Sequence, residues 1–282
     1  TPKCYVGGAF IRSESGRVRA CHAAQGDFIA NIPLCSRKDL RNAVEAAAKA
    51  GASWATRTPY NRGQILYRVA EMLEARASEM ASHIAMTMPP GTDSQKLAQN
   101  EVKASINRVV HFAGWADKFE QVLGSVNPVS SRHFNFTITE PTGVIGIIAP
   151  HRAPLLALMS LILPAIVSGN SVVALASATS PYPAIILGEI LACSDLPGGV
   201  INLLTGDPDE LATVFAAHQQ IRAMAVSLTH ASFTSLEKLA AESVKRIVYH
   251  ETDTDWFSDR HDSPYTIRLM TEAKTVWHPI GA

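Results

Sequence analysis

Five short apolar runs alternate with helical segments in the second half of the chain. They cover residues 144–149, 171–175, 200–204, 223–228 and 246–249. Such runs are typical of strands that are buried on both faces of a parallel sheet. Parallel strands joined by helices need right-handed crossovers, which place helices on both faces of the sheet. The sequence therefore predicts an α/β fold with a doubly wound parallel sheet.

The chain before residue 130 predicts a mainly helical layer. Weak strand patterns at residues 5–12 and 19–33 suggest two short antiparallel strands. Ser36 has the pattern of a helix cap with an acid three residues later, and Pro59 suits the first turn of a second helix. A third helix is expected from about residue 97 to residue 119.

The regular pattern stops after residue 250. Residues 251–264 are polar and aromatic without a period, and short strand patterns follow at 265–270 and 274–277. We expect a connection followed by one or two terminal strands.

Composition excludes several classes of partner. Lys plus Arg and Asp plus Glu each number 25, so the formal charge is zero and gives no attraction to nucleic acid or an anionic membrane. The longest apolar stretch, residues 155–167, is too short to span a bilayer. The four cysteines form no CxxC pair, which predicts reduced thiols and a cytoplasmic protein. Cys193 is expected to be buried within a helix.

Three stretches are specific in their residues and in their order: EPTGVIGIIAP at 140–150, SGNSVV at 168–173 and LPGGVINLLTG at 196–206. Together with weaker matches over roughly residues 5–250, they resemble the NAD(P)-dependent aldehyde dehydrogenase superfamily in order and spacing. The resemblance implies a Rossmann-like, dinucleotide-binding sheet with an N-terminal helical layer. In the family a catalytic domain follows the fifth parallel strand, and a terminal strand then pairs with a neighbouring subunit.

The resemblance also implies that the catalytic domain is absent here. Residues 274–277 are similar to the terminal oligomerisation strand, and they follow the fifth predicted strand almost at once. We expect three regions in one compact unit: residues 1–130 with the N-terminal strands and helical layer, residues 131–250 with the Rossmann-like cofactor domain, and residues 251–282 with the connection and the oligomerisation strand.

Two positions of the family's catalytic machinery are changed. Arg152 stands where the family has an Asn that donates to the oxyanion, and a guanidinium cannot reproduce a short amide donor. His250 stands at the place of the general-base glutamate. No cysteine follows Cys193, so the nucleophile is missing after the fifth strand, unless another chain supplies it. We expect no catalytic residue in this chain.

The cofactor contacts that the resemblance implies are also changed. Leu175 and Ala178 replace the Lys and Glu that bind the adenosine ribose, and each charge-assisted bond lost is worth roughly 1.5–3 kcal/mol. Ser227, Leu228 and Thr229 form the turn that meets the pyrophosphate, and Leu228 replaces a glycine there. We expect no bound cofactor, or NAD or NADP if enough contacts remain.

Two further patterns have two interpretations each. His151 and Arg152 could form an anion site at a helix N-terminus, although a solvated turn is favoured. The His- and acid-rich loop at residues 250–262 could bind a divalent metal, but its spacing is irregular and favours a solvated connection without metal.

Three aromatic residues near the end of the sequence look exposed. They are Trp256, Phe257 and Trp277. Because aromatic side chains are enriched at interface centres, we expect an interface there, with packing against their own domain as the alternative.

Two functions from different classes fit the sequence. The first is a non-catalytic domain with a structural or oligomerisation role beside a catalytic aldehyde dehydrogenase domain or subunit, similar to the degenerate second domain of the two-domain aldehyde dehydrogenases of family 16. The second is the NAD(P)-binding component of an active enzyme that converts an aldehyde to a carboxylic acid, with its catalytic domain on another chain. A weaker third possibility is an unrelated nucleotide in the crevice at the carboxyl ends of the strands. Homo- or hetero-oligomers are expected in both main cases.

Overall fold

A sheet of seven strands forms the centre of the structure, a computed structural model that describes residues 2–89 and 93–281. The strands are β1 (Cys4–Val6), β2 (Ala9–Ile11), β3 (Val18–His22), β4 (Phe28–Pro33), β5 (Ser125–Asn127), β6 (His133–Pro141), β7 (Val144–Ile148), β8 (Ser171–Leu175), β9 (Ile201–Leu204), β10 (Ile221–Ser227), β11 (Arg246–His250) and β12 (Thr271–Pro279). The helices are α1 (Arg37–Ala55), α2 (Pro59–Ala75), α3 (Ala77–Met86), α4 (Ser94–Trp115), α5 (Phe119–Leu123), α6 (Leu156–Val167), α7 (Tyr182–Ala192), α8 (Pro208–Ala217), α9 (His230–Ala241) and α10 (Tyr265–Arg268).

The central sheet has the strand order β11-β10-β7-β8-β9-β1-β2. The five strands from β11 to β9 are parallel, and the β1–β2 hairpin extends the sheet antiparallel beside β9. All five apolar runs of the sequence are strands of this sheet. The predicted α/β fold with a parallel core is therefore confirmed.

The two faces of the sheet bury separate apolar cores. Along β8, Val172 and Ala174 belong to the core formed with α6 and α7, whereas Val173 and Leu175 belong to the core formed with α1 and α8. Successive side chains of a strand point to opposite faces, so a strand covered on both sides must be apolar throughout. This is the physical reason for the continuous apolar runs.

The helical layer begins where the sequence predicts it. Ser36 caps α1, and the Asp39 carboxylate accepts from the Ser36 backbone N–H at 2.7 Å, which completes a capping box. Pro59 lies in the first turn of α2, after the cap residue Thr58. The third predicted helix is α4, which ends at Trp115 and is followed by the separate short helix α5. Within the described ranges, no helix combines the length and hydropathy needed to cross a bilayer.

The N-terminal strand patterns fold as two hairpins rather than as two strands. The first hairpin is β1–β2 and the second, which forms its own small sheet, is β3–β4. Gly7 and Gly8 make the tight turn of the first hairpin with φ of 62° and 86°. Positive φ at both positions suits the twist of a two-residue hairpin turn, and glycine reaches it without steric cost.

The strand expected at residues 265–270 is wrong, because this segment contains the helix α10. Ile267 and Met270 are both buried. A spacing of three places two side chains on one face of a helix but on opposite faces of a strand, and the helix turns both of these side chains into the same core. Pro264, directly before α10, has helical backbone angles.

Two predictions of exposure are also wrong. Cys193 follows the last residue of α7 as its C-cap and is exposed, not buried within the helix. Trp256 is only 1% exposed, so it packs within its own domain, whereas Phe257 and Trp277 are exposed as expected.

The terminal strand predicted at residues 274–277 is confirmed as part of β12. It pairs antiparallel with β6 over nine residue pairs, in a three-stranded sheet of order β12-β6-β5. Asn170 joins this sheet to the core, because its Nδ2 donates to the Met270 carbonyl at 2.7 Å and its Oδ1 accepts from the Gly143 N–H at 2.7 Å.

Candidate functional site

The carboxyl ends of the parallel strands lie along one edge of the central sheet, here called the carboxyl edge. Doubly wound sheets bind their ligands at this edge. The structure brings all the site residues expected from the sequence to it, at or just after the ends of β7, β8, β10 and β11: Arg152, Leu175, Ala178, Ser227, Leu228, Thr229 and His250. The residues expected at a site therefore share one edge of the sheet, and their side chains determine what that edge can bind.

The turn after β7 presents Arg152 to solvent. The backbone N–H groups of Leu155 and Leu156, at the start of α6, both donate to Oε1 of Glu101, at 2.8 and 3.2 Å. Glu101 comes from α4 and is 2% exposed, and burial raises the pKa of its carboxyl group. The chain's own carboxylate thus occupies the helix N-terminus, which favours the solvated-turn interpretation of Arg152 over an external anion site.

The two positions expected at the adenosine ribose offer no charged group. Leu175 is fully buried in the core beneath the edge. The Ala178 carbonyl accepts from Nη2 of Arg19 at 3.0 Å, and the same nitrogen lies 3.4 Å from the Gly206 carbonyl. Arg19 belongs to β3, so the second hairpin places a guanidinium over the ends of β8 and β9. Sequence reasoning missed Arg19, because nothing local distinguishes it from any other polar strand residue.

The turn after β10 is closed by contacts within the chain. The Ser227 hydroxyl donates to the Glu251 carbonyl at 3.2 Å, and the Tyr249 hydroxyl donates to the Leu228 carbonyl at 3.2 Å. Thr229 caps α9 by accepting from the Ser232 N–H. The two side-chain hydroxyl groups of this turn and the Leu228 carbonyl are therefore bonded within the chain.

His250, at the end of β11, is held in an aromatic cluster. Its ring centroid lies 5.0 Å from that of Trp256 and 5.8 Å from that of His261. Burial, with a smaller contribution from the charge of His261, lowers the pKa of His250 to about 4. The imidazole is neutral at pH 7 and could accept a proton, but the exposed Cys193 follows α7 and lines a cavity beside the β1–β2 hairpin, at the other end of the strand order from β11.

Residues 251–270, the connecting segment between β11 and β12, pack against the helical layer. Buried Arg108 of α4 reaches three groups at once: it pairs with the Asp262 carboxylate at 2.5 Å, donates to the Ser160 hydroxyl at 2.5 Å and donates to the Trp256 carbonyl at 3.2 Å. One turn further along α4, the Nε2 atom of His111 lies 2.6 Å from the carbonyl oxygen of Asp262. Contacts with α4 therefore hold the connecting segment against the helical layer, where it covers the carboxyl edge of the sheet near β11.

Two open cavities flank this closure. One of about 640 Å³ is lined by Glu101, Arg152 and Trp256 among others, and one of about 650 Å³ is lined by His250 and His261 with neighbouring polar residues. Across residues 2–89 and 93–281, no three His, Cys, Asp or Glu side chains gather as a metal-binding group.

Glu101, Ser105 and Arg108 are functional positions that sequence reasoning missed. All three are buried and lie on one face of α4 at spacings of four and three residues. The sequence does contain a signal for them, since these polar residues recur on the apolar face of a predicted helix. Buried polar side chains need partners, so such a pattern indicates contacts with another part of the chain.

Replacing Arg108 with Met should release the connecting segment. Removing one member of a buried ion pair typically costs 3–5 kcal/mol. Because the Asp262 side chain is 33% exposed and can rehydrate, we expect a loss of about 3 kcal/mol in unfolding free energy. Arg68→Met is the matched control, since the Arg68–Glu71 pair is exposed and worth less than about 1 kcal/mol. Equal urea midpoints for the two variants would contradict the assigned role of Arg108.

Acid should destabilise the fold through His250. Folding lowers the pKa of His250 from 6.5 to about 4. Between these two pH values the unfolded chain binds a proton at His250 and the folded chain does not, so acid favours unfolding. The stabilisation is complete above pH 6.5 and is lost as the pH falls towards 4, by about 2 kcal/mol once partial exposure is allowed for. His250→Phe should flatten this part of the urea-measured stability profile, and His278→Phe, at an exposed residue of β12, is the control. Parallel profiles for the wild type and His250→Phe would reject the assignment.

Comparison with known proteins agrees with this fold. The model of the aldehyde dehydrogenase family matches residues 10–250. The chain is 30% identical over 225 residues to the cytosolic 10-formyltetrahydrofolate dehydrogenase of Xenopus tropicalis, covering 77% of this chain and 24% of that protein. It is 29% identical over 248 residues to retinal dehydrogenase 2 of Mus musculus, covering 86% of this chain and 46% of that protein.

Solved structures give the same picture. The NAD⁺ complex of an aldehyde dehydrogenase from Bacillus cereus superposes with a TM-score of 0.83 at 24% identity, covering 89% of this chain and 50% of that one. The chain thus spans about half the length, or less, of the proteins it matches. Because the family model covers most of the sequence, this chain belongs to the aldehyde dehydrogenase family.

Proposed function

We propose that this chain is a non-catalytic aldehyde dehydrogenase domain with a structural role beside a catalytic, NAD(P)-dependent aldehyde dehydrogenase domain or subunit. The closed connecting segment carries this proposal. The resemblance places the family's catalytic domain after the fifth parallel strand, and here the chain leaves β11 and reaches β12 within residues 251–270. Buried Arg108 and Trp256 hold that path closed.

The chemistry of the carboxyl edge supports a role without cofactor. Leu175 has no polar group to offer, and the Ala178 carbonyl is engaged by Arg19. The turn at 227–229 is bonded internally. A ligand entering here would have to displace protein contacts and would receive few charge-assisted bonds in return.

The three-stranded sheet β12-β6-β5 supplies a surface for assembly. Phe134 and Ile138 of β6 are 46% and 39% exposed, and Val126 of β5 is 68% exposed. They share one face, because Val126 pairs with Phe136 and the side chains of a strand alternate. A contiguous apolar face marks an interface, and we assign it to a second aldehyde dehydrogenase subunit in the cytoplasm.

The second candidate is an NAD(P)-binding component of an active enzyme. The observation in its favour is the complete parallel sheet, which has the fold of a relative described as an NAD⁺ complex. The two candidates differ in one measurable property, the affinity for the dinucleotide.

Calorimetric titration with NAD⁺ and NADP⁺ should show no binding tighter than about 1 mM, because two charge-assisted contacts are missing. The matched variant Leu175→Lys/Ala178→Glu/Leu228→Gly returns the family residues and should bind measurably if it keeps its circular-dichroism spectrum. The wild-type chain should also produce no reduced nicotinamide with an aldehyde. Micromolar affinity in the wild type would favour the second candidate, and turnover of aldehyde would overturn both.

Sedimentation velocity tests the assembly surface. We expect the purified chain to self-associate, and Phe134→Asp to weaken that association at least tenfold, since burial of a Phe side chain is worth roughly 1.5–3 kcal/mol. Thr275→Asp is the control, because Thr275 pairs with Thr137 and lies on the opposite face of the same sheet. A chain that stays monomeric at high concentration would contradict assembly through this sheet.

A further inference from the structure

Two buried cysteines meet at the β1 end of the central sheet. Cys4 lies on β1, and Cys35 lies in the turn between β4 and α1. Their Sγ atoms are 3.4 Å apart, and their side chains are 1% and 0% exposed. We propose that Cys4 and Cys35 form a reversible disulfide on exposure to peroxide, which makes them a redox-controlled link between the β1–β2 hairpin and the start of α1.

The surroundings shift the pKa values of the two thiols in opposite directions. Contact with Cys35, 3.4 Å away, lowers the pKa of the Cys4 thiol and outweighs the opposing effect of burial. The contact with Cys4 and burial both raise the pKa of Cys35. Cys4 is therefore the thiol that ionises first and attacks an oxidant, since the thiolate is the nucleophile.

The reaction balances with hydrogen peroxide as the oxidant. The Cys4 thiolate attacks one peroxide oxygen, forms a sulfenic acid and releases hydroxide, which takes up a proton to give water. The Cys35 thiol then loses its proton and attacks the sulfenic sulfur, so that the S–S bond forms and the second water leaves. Two thiols are oxidised, and one peroxide is reduced to two waters.

The geometry requires little movement. A disulfide needs an S–S distance of about 2.05 Å, so the sulfurs, now 3.4 Å apart, must approach by about 1.4 Å. The β1–β2 hairpin can absorb that shift, because it ends the strand order of the sheet and, within the described residues, pairs with β9 alone among the parallel strands. The bond would join residues 31 positions apart and fix the hairpin to the turn before α1.

The other two cysteines provide internal controls. Cys21 packs in a separate small cluster with Ile32 and Ile185, and Cys193 is exposed after α7. Within residues 2–89 and 93–281, Cys4 and Cys35 are the pair of cysteines whose sulfurs lie in hydrogen-bonding contact. An intramolecular disulfide should therefore be specific to this pair.

The experiment uses the Cys193→Ser chain, which removes the exposed thiol that could cross-link two molecules. The chain is treated with hydrogen peroxide, its remaining thiols are alkylated after denaturation, and its peptides are identified by mass spectrometry. We expect a peptide pair joined through Cys4 and Cys35, loss of two of the three thiols, and a thermal midpoint raised by about 5–10 °C that returns on reduction.

Two further variants make the result decisive. Cys4→Ala and Cys35→Ala, each in the Cys193→Ser background, should lose both the cross-linked peptide and the rise in midpoint. Three titratable thiols after oxidation, or a cross-link that involves Cys21, would overturn the proposal. A disulfide between Cys4 and Cys35 without any change in thermal midpoint would overturn its role as a link that restrains the hairpin.

Discussion

One row of buried polar side chains on α4 determines how the rest of the carboxyl edge is arranged. Glu101 holds the N-terminus of α6, and Arg108 holds the connecting segment through Trp256 and Asp262. Both come from the helical layer, so this layer fixes the start of α6 and the return of the chain to β12. Charged groups buried in this way need partners of good geometry, and the pairing specifies one arrangement of the segment.

The sheet and its carboxyl edge depend on different sets of residues. The apolar cores depend on residues beneath the strands, such as Leu175, and remain complete whichever groups stand above them. Above the strands, Arg19 and Ser227 satisfy carbonyl groups of the chain itself. Fold and site thus rest on different residues, which is why fold alone does not define function.

The sequence predicts the sheet well because burial on both faces leaves a continuous apolar run for each strand. It predicts the edge residues through family resemblance, and the structure brings them together. It fails at residues 265–270, where two buried side chains in a short segment fit either a strand or a helix, and at Cys193, where the helix ends one residue earlier than expected. The contacts of Arg19 with Ala178 and of Arg108 with Trp256 join residues more than 140 positions apart, and no local pattern encodes such contacts.

The closed connecting segment ties the stability of the helical layer to the path by which the chain returns to β12. Substitutions at single positions of the edge, such as Leu175 or Ala178, change one side chain each. A longer insertion that displaced the segment would expose Trp256 and remove two partners of Arg108. An uncompensated guanidinium in the interior is costly, so this part of the chain tolerates changes of single side chains more readily than changes of its path.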